Sequence, residues 1–300
     1  MLICCKIIQE KVVPIKNRFV GIFEHNLIQP FDMTWQKIPH HAIDHEQWFN
    51  CLLRRGAPVF AEFWYWQSIT DQFEAWVKGD YEDVVAIPRS RKWGVIPTMR
   101  MPLYVKWLSG DPTFIAKQIQ KFWGWRKVFV DFDNHQGKSH QVQVLRLNRD
   151  WAPSKELRKK IKKCEDAQYQ IVEATWNDFS IMMEAHHPYA WPLVQRQTLQ
   201  RLYEASKARG LGMLKGVWNG EQWLSIQLYI QSRDQMSLIQ NVSHPEFRND
   251  DPMAFLLSHI FIEAQNQSST MQINFMGSDH AGVAKYNQKF GALDEIYWEW

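Results

Sequence analysis

Two spacings of apolar residues alternate along this chain, and together they predict a mixed succession of helices and strands. After Met33 the first clear signal is DHEQWFNCLL, where Trp48, Cys51 and Leu52 fall on one helical face and Asp44 stands where its carboxylate can cap the first turn. A short helix follows at AEFWYWQSI. The segment FEAWVKGDYEDVVAIP then predicts two strands joined at Gly79-Asp80, a tight-turn pair between apolar runs. Asp111-Pro112 opens a helix through Lys121, and KVFVDFD and HQVQVLRLN read as strands.

Polar residues gather with a proline in NRDWAPS, just before the basic helix KELRKKIKKCEDA, which sets a domain boundary near residue 150. Beyond it the pattern predicts a helix at 155–167, a strand at about 169–174 and helices at about 176–186 and 192–208. The strands GMLKGVW and EQWLSIQLYI then flank Asn219-Gly220, a strong hairpin signal. Leu224, Ile226, Leu228 and Ile230 alternate with Ser225, Gln227 and Tyr229, so this strand presents two different faces. A strand at MSLIQNVS, a helix from Pro252 to about Gln265, a strand at MQINFMG, a helix at AGVAKYNQKF ended by Gly291, and a last strand complete the chain. The second half therefore runs hairpin, strand, helix, strand, helix, strand. Residues 1–32 show no clear period and read as an N-terminal extension outside the natural fold, with Met33 as the expected true start.

Composition narrows the class. With 300 residues, two medium domains are expected, and 45% hydrophobic against 22% charged residues fits a globular protein rather than long disorder. The formal net charge of +3 is too small to demand an anionic partner, so any basic site must be local. Cys4, Cys5, Cys51 and Cys164 show no metal-type spacing and read as reduced thiols of a cytoplasmic protein. No uncharged apolar run approaches the roughly 20 residues that span a bilayer, and Lys6, Glu10, Lys11 and Lys16 break the opening segment, so neither membrane insertion nor a signal peptide is expected. The 16 tryptophans fit a large core better than a stacking surface for sugars or bases.

Three segments carry a family likeness: the basic helix SKELRKKIKKC, the loop and helix SHPEFRNDDPMAFLLSHIFIEA, and the end INFMGSDHAGVAKYNQKFGA. With WYWQSI and DYEDVVAIP earlier, they resemble the GNAT acyltransferase superfamily, and within it the bacterial Fem-like branch, where two GNAT lobes share one chain. The likeness covers about 33 to 300. It implies an α+β fold of two GNAT-like lobes, 33–150 and 151–300, each a mostly antiparallel mixed sheet flanked by helices, with the acyl-donor motifs in the second. It also implies an N-acyltransferase that moves an acyl group from an acyl-CoA such as acetyl-CoA to the amine of a small molecule or peptide, without a metal. Asn241, Val242, Arg248 and the N–H groups near Met253 would contact the donor, because a helix N-terminus with free N–H groups attracts phosphate. Tyr286 and Ser278 would face the reacting centre, Tyr286 as proton donor to the departing thiolate.

The sequence also departs from the family pattern. Asp251 and Met253 stand where the phosphate loop has small residues, Asn287 occupies the place of the usual tyrosine, and Asn274 and Met276 replace acidic strand positions. A helix terminus favours an anion by about 0.3–1 kcal/mol, and a carboxylate about 4 Å away repels one by about 1 kcal/mol in water. Asp250 and Asp251 can therefore cancel the attraction, and Asp251-Pro252 equally fits a plain helix cap and first helical residue. Two alternatives follow: a catalytically silent GNAT-fold binding protein, and a Fem-like transferase using aminoacyl-tRNA. Glu184, Asp279 and the histidines are the remaining candidates for a base. His40-His41 and His186-His187 cannot chelate as adjacent pairs, since neighbouring helical side chains diverge by about 100°. The run Arg158, Lys159, Lys160, Lys162, Lys163 lacks interleaved aromatics and reads as a solvated helix face rather than a nucleic-acid platform, with tRNA entering only in the aminoacyl alternative. Ser154 and Ser278 lack a His/Asp setting, which argues against a serine hydrolase.

Overall fold

The computed structural model describes residues 34–70, 72–88, 90–92, 96–98, 114, 117–118, 129–130, 138–188, 193–268, 270–277 and 280–299. The chain divides by contacts into Met1–Asp32 and Met33–Trp300, and every described residue belongs to the second unit. Most of the expected helix from Asp111, apart from residues 114 and 117–118, and most of the strand at KVFVDFD lie outside the described residues.

The first elements form where the pattern places them. Strand β1 (Trp35–Ile38) precedes helix α1 (His45–Arg54), whose Asp44 cap accepts the N–H groups of Glu46 and Gln47, each at 3.0 Å. Helix α1 buries Trp48, Cys51 and Leu52 on one face. Helix α2 (Phe63–Ile69) leads into the hairpin β2 (Phe73–Lys78) and β3 (Asp83–Pro88), which turns through Gly79 at φ +54. These strands make a three-stranded antiparallel sheet in the order β1-β2-β3. The short pair β4 (Ser90–Lys92) and β5 (Ile96–Thr98) stands apart from it.

The larger sheet has eight strands in the order β6-β13-β7-β12-β11-β10-β9-β8. They are β6 (Phe129–Val130), β7 (Lys138–Arg146), β8 (Gln170–Glu173), β9 (Gly212–Trp218), β10 (Trp223–Ser232), β11 (Gln235–Ser243), β12 (Gln272–Gly277) and β13 (Leu293–Glu299). Every described pairing is antiparallel except β11 with β12. Although β6 and β7 precede the polar break near residue 150, they run in this sheet, with β7 between β12 and β13. Five helices attend it: α3 (Lys155–Asp166), α4 (Trp176–His186), α5 (Leu193–Lys207), α6 (Pro252–Gln267) and α7 (Ala281–Gln288).

Two apolar clusters lie on the sheet's two sides. One joins the first sheet, α1 and α2 to α4, α5 and residues such as Ile226, Leu228 and Val242, while the other joins α3 and α6 to Tyr229, Met236 and Leu238. The alternation in β10 separates these two faces, yet Leu224 through Ile230 are all buried. Ser225 and Gln227 therefore sit in the interior instead of facing water. Trp48 and Trp66 are fully buried, which answers for part of the tryptophan content with core packing. At Gly216 the Trp223 ring lies against the backbone, and an added Cβ would come within 2.7 Å of it.

Candidate functional site

A cleft of about 1080 Å³ opens between β11 and β12, and its cause is local backbone geometry. The two strands pair only through Gln235↔Gln272, Met236↔Ile273 and Ser237↔Asn274, then run on apart. On β11 the register against β10 slips between Leu228/Tyr229, which leaves Ile239 without a partner on that side, a β-bulge. On β12 Met276 adopts φ +59, and Asn274 secures this turn by accepting the Met276 N–H on Oδ1 at 2.7 Å. A non-glycine residue in the left-handed region costs on the order of 1–3 kcal/mol and persists where the surroundings over-determine it. Asn274, standing where the family pattern has a carboxylate, thus holds the kink that parts the strands. Phe275 lines the opening, and no tryptophan lines it among the described residues.

The loop after β11 is clamped by the basic helix. Lys163 pairs with Asp250 at 2.6 Å, the Tyr169 hydroxyl donates to the same carboxylate at 2.8 Å, and Lys160 donates to the Asn249 carbonyl at 2.9 Å. The hydrogen bond from Lys163, and then that from Tyr169, holds the Asp250 carboxyl below its usual range. Asp250 is thus ion-paired to α3 and is not among the residues that line the cleft, whereas Asp251 is. The clamp also gives two lysines of the basic run a structural partner, while Arg158, Lys159 and Lys162 stay exposed.

Asp251 caps α6 from a left-handed conformation, φ +56, with Oδ1 accepting the Ala254 N–H at 3.3 Å and the Tyr286 hydroxyl at 2.9 Å. Pro252 takes the first helical place, so that cap expectation holds, while the Met253 N–H has no acceptor among the described residues. Burial, and then the Asp251 carboxylate, holds the Tyr286 hydroxyl well above the usual phenol range. Tyr286→Phe removes the donor from a carboxylate in a half-buried loop, with an expected loss of about 1–2 kcal/mol of stability, readable by urea unfolding. An unchanged midpoint would show that Ala254 and water satisfy Asp251 alone.

Other polar groups reach the same cleft. His187, at the C-terminus of α4, has its pKa lowered by burial and then by the Arg248 guanidinium, both of which favour the uncharged imidazole. His186 beside it packs edge-on against His244, ring centres 4.4 Å apart. Gln227 of β10 borders the cleft next to the β11 bulge. Its Nε2 donates to the Leu228 carbonyl at 2.7 Å and to the Gln240 carbonyl at 3.1 Å, whereas Oε1 is buried with no partner. An unpaired buried acceptor costs about 1–3 kcal/mol.

The cleft gathers Asn241, Arg248, Met253, Tyr286 and Asn287 from four separate stretches of sequence. Arg248 is exposed and its guanidinium makes no ion pair among the described residues. The Val242 side chain instead points into the core opposite Ile226 and does not line the cleft, so only its backbone is near. Glu184 is exposed and pairs with Arg196 at 3.6 Å, away from the cleft lining. Ser278 and Asp279 lie outside the described residues. The alternation in β10 gives Gln227 no site role, though a glutamine between Ile226 and Leu228 in the apolar middle of a strand is a visible signal. Among the described residues no group of His, Cys, Asp and Glu is placed to hold a metal ion, and no helix is long and apolar enough to cross a membrane.

Comparison with known proteins adds to this geometry. Residues 152–286 match the model of the acetyltransferase (GNAT) domain. The fold is similar to that of FemX, at 10% identity and a TM-score of 0.64 over 88% of this chain and 96% of that one. It is also similar to a tandem GNAT protein from the clavulanic acid biosynthesis pathway, at 13% identity and a TM-score of 0.52 over 89% and 98% of the two chains. A third likeness is to the C-terminal domain of a putative lysylphosphatidylglycerol synthetase from Agrobacterium fabrum, at 7% identity and a TM-score of 0.54 over 85% and 90%. No curated protein matches the sequence.

Proposed function

We propose that this chain, a GNAT acetyltransferase-type domain over residues 152–286 within a Fem-like tandem-GNAT fold, is an N-acyltransferase that uses an acyl-CoA thioester, such as acetyl-CoA, and the amine of a small molecule or peptide. The observation that carries the reading is the parting of β11 from β12, which leaves an open cleft in the sheet instead of a filled one. Each end of that cleft offers groups suited to the donor. Arg248 and the unpaired Met253 N–H suit its phosphates, and the backbone of Asn241 and Val242 suits its arm.

The thioester supplies an acyl group already activated for attack. The protein's part is to orient the amine, to take its proton and to polarise the carbonyl. The bulge at Ile239, without a strand partner, is where a backbone N–H can meet the carbonyl oxygen. Tyr286 stays protonated at neutral pH, the state a donor to a departing thiolate needs, and using that proton requires its bond to Asp251 to open. Ser278 is proposed for the reacting centre on the sequence likeness alone.

A second reading, aminoacyl-tRNA as donor, is favoured by the exposed Arg158, Lys159 and Lys162, which the loop clamp leaves free for phosphates. A silent binding protein is favoured by Asp251, whose carboxylate borders the cleft. Thermal melting with acetyl-CoA separates these. At a hundredfold excess over its dissociation constant, a ligand of the folded state adds about 2.7 kcal/mol, a rise of several degrees. No rise with acetyl-CoA or a longer acyl-CoA would abandon the thioester reading in favour of the other two.

A further inference from the structure

Gln227 is the one buried unpaired acceptor among the described residues that also borders the cleft. Ser225 and Ser258 carry unpaired buried hydroxyls too, but neither lines the cleft, and a hydroxyl can rotate. The orientation of the Gln227 amide is set by chemistry: the Leu228 and Gln240 carbonyls both need a donor, so Nε2 must face them and Oε1 must face the other way. These carbonyls flank the β11 bulge, where the regular ladder is interrupted. The same side chain therefore closes the bulge and keeps a buried acceptor without a partner in a residue that borders the cleft.

We infer that Gln227 is a specificity contact, accepting on Oε1 a hydrogen bond from an amide N–H of the donor's pantetheine arm. The contact rests on the donor reading given above and adds to it a selection for arms that carry N–H groups. Phosphates are themselves acceptors and cannot satisfy this oxygen, so the donor's two ends are read separately, the phosphates at Arg248 and the arm at Gln227. A pantetheine chain offers two amides along its length, and one must lie over β10 and β11 for the contact to form.

Calorimetric titration of the full chain with coenzyme A and with 3′-phosphoadenosine 5′-phosphate, which lacks the arm, tests this without any acceptor. Gln227→Met keeps the shape and removes the amide. It should weaken coenzyme A about three- to tenfold, the share of one hydrogen bond, and leave the armless nucleotide unchanged. Gln227→Asn, which draws the oxygen back by one methylene, serves the same comparison if the methionine variant is too unstable to purify. Equal coenzyme A affinity in variant and wild type would overturn the contact while leaving the donor reading intact. Parallel loss for both ligands would show that Gln227 only braces the bulge. Wild-type protein that binds neither ligand would sink the donor reading, and this contact with it.

Discussion

Phe261→Ala should lower the unfolding free energy by about 3–5 kcal/mol, the largest loss expected from any single substitution near the cleft. Phe261 is fully buried on α6 and meets Trp151, Phe275 and Phe290 edge to face, with ring centres 5.8, 5.8 and 5.5 Å away. Aromatic pairs of this kind add about 0.5–1.5 kcal/mol beyond their buried area. Phe275 lines the cleft and Phe290 packs against Tyr286, so the cavity left by the substitution sits behind both walls of the site. Urea unfolding reads the loss directly, as a lower midpoint. A loss under about 1 kcal/mol would mean that the neighbouring rings collapse into the space, and the cleft should then narrow.

Arg248→Ala should weaken coenzyme A about ten- to a hundredfold, since hydrogen bonds to charged groups are worth about 1.5–3 kcal/mol. Stability should stay within about 0.5 kcal/mol, because the guanidinium is exposed and makes no ion pair among the described residues. The Arg248 guanidinium also helps to lower the His187 pKa. The variant should therefore also let His187 take up a proton at a higher pH, which an imidazole NMR titration can follow. Full coenzyme A affinity in the variant would move the phosphate subsite elsewhere on the protein.

Local signals made much of this legible in advance. Asp44 caps α1 because a carboxylate precedes an amphipathic run, and Asn219 closes the β9–β10 turn by accepting two backbone N–H groups at 3.0 and 2.8 Å. Both depend on residues a few places apart, which a pattern can show. The order of strands and helices in the second half was legible too, and the family likeness named Asn241, Arg248, Met253 and Tyr286, which one cleft gathers. What escaped were the devices that shape it. The role of Asn274 depends on Met276 turning left-handed, and that of Gln227 on a register slip between strands, neither of which has a spacing in the sequence. Asp250 reads as an obstacle to an anion in the sequence because its partners, Lys163 of α3 and Tyr169 just beyond that helix, lie far upstream. Val242 is a donor contact by the family likeness, whereas the alternation of faces turns its side chain into the core.

The position of β7 bears on how this protein can be divided. It pairs with β12 on one side and β13 on the other, and Arg146 reaches Glu295 at 2.8 Å. A fragment beginning at residue 151 would keep every group proposed to touch the donor, yet it would carry two naked strand edges in the middle of its sheet, the kind of surface that templates aggregation. The polar break in the chain is thus a boundary in sequence without being a seam in hydrogen bonding, and a cut there should leave the second half prone to aggregate.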